Sequence, residues 1–155
     1  MQTLISRATP TGVYVITAKS GDKINGMTAA WVTQISFRPA LVGVAIAPQR
    51  YTYSLIKNSG IFCINALPEG AMELAKHFGF KSGRKVDKFE NVPHTYAKNG
   101  SPVLKDAYAY LECKVENDFE VGDHTLFIGS ILDGKELDTE AQPLIFRWDD
   151  FFGGH

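Results

Sequence analysis

Short runs of β-branched and aromatic residues, separated by glycine and proline, dominate the pattern of this chain. Gly12–Ala18 and the segment from Ile24 onward flank the turn-forming stretch Lys19–Lys23, and this arrangement predicts a β-hairpin. Leu41–Ala47 and Ile61–Ala66 are continuous apolar runs, which are typical of strands covered on both faces. The first half of the chain therefore reads as β-structure.

Three further β-segments follow in the second half. Tyr110–Glu116 alternates strictly, so its odd-numbered residues are predicted to face the core and its even-numbered residues water. Phe119–Leu132 reads as a hairpin that turns at Gly122 and Asp123, and Leu144–Arg147 reads as a last short strand.

The same pattern predicts three short helices. Thr3–Ala8 ends before Pro10, and Thr52 is placed to cap a helix over Tyr53–Asn58. A third helix begins at Pro68 and carries an apolar stripe at helical spacing. Many short strands with few helices favour a small closed β-barrel, because closure removes exposed strand edges.

Composition narrows the class of protein. The 155 residues suit a single domain over 1–155, and a net charge of −1 gives no field to attract nucleic acid or an anionic membrane. No signal-peptide pattern or run of 18 apolar residues occurs, so we expect a cytoplasmic protein. Cys63 and Cys113 lack the spacing of zinc ligands, which predicts buried free thiols and no metal site.

The stretch Asn25–Pro39 is unusually rich in small residues for a strand. Gly26 and Thr28–Ala30 leave the backbone accessible beside the large ring of Trp31. A flat ligand could approach such a backbone closely, and the amide of Asn25 offers both a donor and an acceptor. A tightly packed sheet edge explains the same residues equally well.

Three other places carry candidate chemistry. Arg50 and Thr52 stand at a strand-to-helix corner, where an arginine and free helix N–H groups can bind an anion, although a solvated arginine and an ordinary cap fit too. Lys88 lies in the weakly patterned segment 80–106, which suggests a ligand flap. His124 follows the hairpin turn at the mouth of the predicted barrel.

Taken in order, these motifs resemble the flavin reductase-like family of FMN-binding split barrels, and among its members the flavoredoxins. The resemblance rests on Asn25–Pro39, Arg50-x-Thr52, Asp87-Lys-Phe89 and Gly122-Asp-His124, and it extends over nearly the whole chain. It implies a mainly β fold, an FMN-binding split β-barrel with a few short flanking helices.

The resemblance also implies a function and a set of site residues. The expected activity is that of an NAD(P)H-dependent flavin reductase, with FMN as cofactor, NADH or NADPH as electron donor and His124 beside the nicotinamide. The residues expected to contact FMN are Asn25, Met27, Thr28, Ala29, Ala30, Trp31, Ser36, Arg50, Thr52, Lys88, His124 and Phe151. The relatives dimerise, so a homodimer is expected.

Two other functions remain open at this point. A flavoredoxin-like electron carrier would hold FMN through the same residues, exchange electrons with a redox protein and make no direct use of NAD(P)H. A binding module for another planar ligand would keep the same barrel.

Overall fold

The computed structural model describes residues 1–153, and its architecture is mainly β. The strands are β1 (Tyr14–Ser20), β2 (Lys23–Ala29), β3 (Val32–Ser36), β4 (Leu41–Ile46), β5 (Ile61–Ala66), β6 (His94–Tyr96), β7 (Pro102–Leu104), β8 (Ala109–Val121) and β9 (His124–Glu136). The helices are α1 (Gln2–Ala8), α2 (Tyr51–Ser59), α3 (Met72–Phe80) and α4 (Trp148–Phe152).

Seven strands form one antiparallel sheet in the order β2-β1-β5-β8-β9-β4-β3, and β6 pairs with β7 separately. In a flat sheet the two outer strands would lie about 29 Å apart. Here the outer strands β2 and β3 are consecutive in the chain, joined only by Ala30 and Trp31, which span at most about 11 Å. The sheet must therefore curl into a barrel whose split lies between β2 and β3.

The two predicted hairpins are present. β1 pairs with β2 from Tyr14 opposite Ala29 to Ser20 opposite Lys23. β8 and β9 form the second hairpin, and Gly122 at its turn has a φ of 58°, which L side chains rarely adopt. The long β8–β9 arm carries His124 to the end of the barrel where β2 meets β3.

The core has two parts on opposite sides of the β1–β2 hairpin. Inside the barrel, Ile16, Val44 and Phe62 are completely or almost completely buried with the side chains around them. Between the sheet and α3, Val15 and Phe78 anchor the second cluster. This second cluster holds α3 against β2, and it thereby positions one wall of the site described below.

Several predicted boundaries are wrong. Thr52 is not the N-cap of α2: Arg50 occupies that position, and Thr52 lies buried within the first turn. α3 begins at Met72 rather than at Pro68, because Pro68 instead forms a bridge with Pro143. The predicted strand Leu144–Arg147 is reduced to an isolated bridge between Ile145 and Gly12.

The predicted alternation of β8 is broken by a bulge. The register shifts between Glu112 and Cys113, so these adjacent residues are both buried while Leu111 is exposed. The backbone N–H of Asn99 donates to Glu112 Oε1 at 2.6 Å, which supplies a partner for the buried carboxylate. Cys63 and Cys113 are buried free thiols, as predicted.

Within residues 1–153, no helix has the length and apolar character needed to cross a membrane. The same residues contain no group of three or more histidine, cysteine, aspartate or glutamate side chains placed to hold a metal ion.

Candidate functional site

A cavity of about 230 Å³ opens at the split of the barrel. Its floor consists of small residues from the ends of β2 and β4, and its roof consists of the short helices α1 and α4 with the segment between β9 and α4. The floor residues are Thr28, Ala29, Ala30, Ala45 and Ala47. Because these side chains are small, a flat molecule can approach the main chain here.

Aromatic rings stand on two sides of this floor. Trp31, whose side chain is about half exposed, lies with its ring centroid 4.6 Å from that of His124, at an interplanar angle of 55°. On the other side Phe80 lies 6.4 Å from Phe151 and 6.0 Å from Phe152, measured between ring centroids. The cavity therefore offers apolar ring surfaces above a bare backbone, which suits a planar aromatic ligand.

His124 is oriented by the residue before it. Its Nδ1 lies 2.7 Å from Asp123 Oδ1, and because a carboxylate can only accept, Nδ1–H is the donor. This hydrogen bond, together with the charge of the imidazole, lowers the pKa of Asp123. With Nδ1 engaged, Nε2 is the ring nitrogen left for a ligand in the cavity that His124 lines.

A positive corner borders the cavity at the start of α2. Arg50 is the N-cap residue, no side chain caps the helix, and its first turn has no acidic residue. Arg84 adds a second guanidinium nearby: its Nη1 donates to the Gln49 carbonyl at 3.0 Å, and it lies 5.2 Å from the Tyr51 ring centroid. Free helix N–H groups and two guanidinium groups together favour an anion here.

Asn25 and Thr52 tie β2 to α2 behind this corner. Both are buried, and Asn25 Nδ2 donates to Thr52 Oγ1 at 2.9 Å. The loop after α3 covers this pair closely, since a Cβ at Gly83 would overlap the Asn25 amide. The β2–α2 junction is thus fixed beneath the loop that carries Arg84.

Lys88 is also buried, and both described hydrogen bonds of its ammonium are to the main chain. Its Nζ donates to the carbonyls of Gly26 at 2.8 Å and Phe78 at 2.9 Å. Burial, reinforced by the charge of Arg50, lowers the pKa of Lys88 to about 8. The lysine therefore lies near the positive corner without lining the cavity.

The structure brings most of the predicted site residues together. Those that line the cavity are Met27, Thr28, Ala29, Ala30, Trp31, Arg50, His124 and Phe151. Asn25, Thr52 and Lys88 support the cavity from behind. Ser36 lies apart from it, near the far end of β3 and opposite Leu41.

Sequence reasoning missed several lining residues. They lie in or just beyond α1 and β4, at the end of α3 and in the tail: Gln2, Ile5, Ser6, Thr9, Ala45, Ala47, Gly79, Phe80, Phe146 and Trp148. The alternating alanines of β4 were the one available signal, because small residues at alternate positions of an apolar strand mark a face with room above it.

Comparison with known proteins finds a matching protein family and several similar sequences. The sequence model of the flavin reductase like domain matches residues 6–155. A high molecular weight rubredoxin of Moorella thermoacetica is 37% identical over 139 residues, which cover 88% of this chain and 60% of that protein. A putative diflavin flavoprotein of Nostoc is 42% identical over 128 residues, covering 82% of this chain but only 22% of the relative. The chain thus spans only part of these relatives.

Solved structures share the architecture. The NADH:FAD oxidoreductase of Streptomyces globisporus superposes with a TM-score of 0.84 at 29% identity, covering 90% of this chain and 82% of that one. Flavin reductase PheA2 superposes with a TM-score of 0.81 at 34% sequence identity, covering 94% of this chain and 90% of that one. A flavoredoxin of Methanosarcina acetivorans superposes with a TM-score of 0.77 at 28% sequence identity, covering 82% of this chain and 69% of that one. The predicted mainly β split-barrel fold is confirmed.

Proposed function

Because this chain belongs to the flavin reductase-like family, a family of flavin-binding oxidoreductases, we propose that it binds FMN and passes electrons from NADH or NADPH through it to an acceptor. The observation that carries the proposal is the joining of a small-residue floor to a positive helix start in one cavity. The floor fits a flat ring and the helix start fits a phosphate, so the two halves of FMN each have a place.

The ring of FMN is proposed to rest on the backbone of residues 28–30, where bulky side chains are absent. Met27 and Trp31 border this floor on either side in the sequence, and Phe151 covers it from α4. Asn25 supports the floor through its hydrogen bond to Thr52. We expect main-chain N–H and C=O groups of this segment to bind the polar edge of the ring.

The phosphate is proposed to lie against Arg50 and the first N–H groups of α2. A guanidinium can form two parallel hydrogen bonds to a phosphate, and the positive end of the helix dipole adds to them. Thr52 holds this turn in place from within the core. The nearby charge of Arg84 favours the same anion through space.

His124 is proposed to be the catalytic residue, in the sense that it contacts the nicotinamide. Asp123 fixes its ring, so Nε2 is free to hydrogen-bond the nicotinamide carboxamide in the cavity. The chemistry that bound FMN would supply is acceptance of a hydride at N5 and onward transfer of the electrons. The residues of this chain contribute by holding nicotinamide and ring in contact, at roughly 3–3.5 Å, and by excluding water.

An electron-carrier function is the second candidate. The matched high molecular weight rubredoxin and the flavoredoxin are the observations that favour it, since this chain resembles both over most of its length. In that case the exposed face of Trp31 would meet a redox protein instead of a nicotinamide.

The domain organisation, the assembly and the cellular location of the protein are also proposed. We place one flavin-binding domain over 1–155 and a homodimer as its assembly, which the exposed outer strand β3 supports. Cytoplasmic location is supported by Cys63 and Cys113, both of which are buried as free thiols.

The visible spectrum of the FMN-reconstituted protein tests the function directly. We expect a protein-bound flavin spectrum that bleaches within seconds when NADH or NADPH is added without oxygen, while the His124→Ala variant binds FMN but bleaches slowly. A flavin band that forms and persists with both nucleotides would favour the carrier function. Protein that leaves the spectrum and fluorescence of free FMN unchanged would contradict both.

A further inference from the structure

Lys88 is a buried cation held by main-chain carbonyls. Its side chain is almost completely inaccessible to solvent, and no carboxylate within residues 1–153 forms an ion pair with it. Its Nζ donates instead to the carbonyls of Gly26 and Phe78, at 2.8 and 2.9 Å. Burying an ammonium is costly unless such bonds offset the lost hydration, so this position calls for an explanation.

The two carbonyls belong to different elements that each need a donor. β2 is an outer strand of the sheet, so one side of its backbone has no partner strand, and Gly26 lies on it. Phe78 lies in the last turn of α3, where carbonyls lack intrahelical partners and the helix dipole favours a positive charge. Lys88 therefore bridges a strand edge and a helix end.

Each of these carbonyls comes immediately before a wall of the cavity. Gly26 precedes Met27, which borders the floor, and Phe78 precedes Gly79 and Phe80, which line the opposite edge. The distance between the Gly26 and Phe78 carbonyls thus sets the separation between the floor and the cavity edge that Phe80 forms. Thr28 Oγ1 donates to the Ala75 carbonyl at 2.6 Å, a second link between the same two elements.

The backbone of Lys88 is itself fixed to α3. His77 Nε2 donates to the Lys88 carbonyl at 2.6 Å, and Lys81 Nζ donates to His77 Nδ1 at 3.1 Å. Both ends of the lysine are consequently held relative to the helix, and the ammonium has little freedom to move into the cavity.

We propose that Lys88 is a positioning residue that sets the width of the flavin cavity by joining β2 to α3, and that it acts on the ring of the flavin without binding its phosphate. This inference rests on the proposed function. It assigns different roles to the two neighbouring cations: Arg50 binds the phosphate, whereas Lys88 shapes the seat of the ring.

Riboflavin, which has the ring of FMN but no phosphate, separates these roles. The dissociation constants of FMN and riboflavin are measured by fluorescence quenching for the wild type, Lys88→Met and Arg50→Ala. We expect Lys88→Met to weaken both ligands by the same factor, about tenfold or more, because two carbonyls lose a charged donor. Arg50→Ala is expected to weaken FMN alone. Lys85→Met, an exposed lysine in the same loop, should change neither.

A spectroscopic readout distinguishes positioning from general loss of structure. The visible circular dichroism of bound riboflavin should change in Lys88→Met and remain as in the wild type in Arg50→Ala. If Lys88→Met does not fold, Lys88→Arg takes its place, since a longer side chain moves β2 relative to α3 and both affinities should fall together. If the Lys88→Met or Lys88→Arg variant loses affinity for FMN alone, or loses no affinity at all, the proposal is overturned. Wild-type protein that binds neither ligand would instead contradict the proposed function.

Discussion

Arg50 carries the strongest prediction at the scale of a single residue. Its guanidinium stands at the uncapped start of α2, so Arg50→Ala should weaken FMN binding by about 1.5–3 kcal/mol, the range for a charge-assisted hydrogen bond. Titration with FMN followed by flavin fluorescence measures this loss. Arg38→Ala, which removes the same group from the exposed turn between β3 and β4, is the matched control. Equal affinities in the two variants would remove Arg50 from the site.

Lys88 gives a second residue-scale prediction, through pH. Burial, with a smaller effect of Arg50, lowers its pKa from 10.5 to about 8, so between these values the unfolded chain binds more protons than the folded one. The free energy of unfolding should therefore rise with pH. Relative to Lys88→Met, the wild type should gain about 2 kcal/mol between pH 7.5 and 10. Urea titrations of both proteins at the two pH values measure this, and parallel pH dependences would contradict it.

The same two cations show what the sequence can reveal about a site residue. Arg50 stands at a strand-to-helix corner, a local pattern, and its place beside the cavity follows from that corner. The hydrogen bonds of Lys88 depend on Gly26 and Phe78, which are brought together only by the packing of α3 on β2. The position of Lys88 near the site was predictable, but its burial was not.

Helix α3 contains two phenylalanines with different roles: one packs against the sheet and supports the fold, and the other lines the cavity. Phe78 is completely buried between α3 and the sheet, whereas Phe80 is about half exposed over the cavity. Phe78→Ala should lower the free energy of unfolding by about 3–5 kcal/mol. Phe80→Ala should change it by less than about 0.5 kcal/mol while weakening flavin binding. Denaturant titration and FMN titration of both variants test this; similar stability losses would show that the α3–β2 packing is described wrongly.

Elements with strong local signals were predicted well, and those defined by distant partners were not. The β1–β2 and β8–β9 hairpins follow from turn residues between apolar runs. The bulge that buries Glu112 and the bridges at Pro68 and Ile145 depend on neighbouring strands and segments far away in the sequence. The lining of the cavity by Ala45 likewise depends on the pairing of β4 with the chain at the start of β3, where Ala45 N donates to the Trp31 carbonyl at 3.1 Å.

For the whole molecule, the open question of assembly centres on β3. This outer strand has an unpaired edge and exposes Ile35, and Phe37 just beyond it is almost fully exposed. Proteins seldom leave such an apolar edge in water, because it can pair with other chains. With Trp31 at the start of the same segment, a partner chain covering β3 would also lie beside the flavin cavity.

We therefore expect a homodimer that buries β3, measurable by light scattering at micromolar concentrations. Ile35→Lys should shift the protein to monomers, since a charge on an exposed edge opposes pairing and removes no core contact. Leu137→Lys places the same charge on an exposed leucine just beyond β9 and should leave the dimer intact. A monomeric wild type, or a dimeric Ile35→Lys, would contradict the assembly. If dissociation also weakens FMN binding, the partner chain completes the site; if affinity is unchanged, each subunit holds its flavin alone.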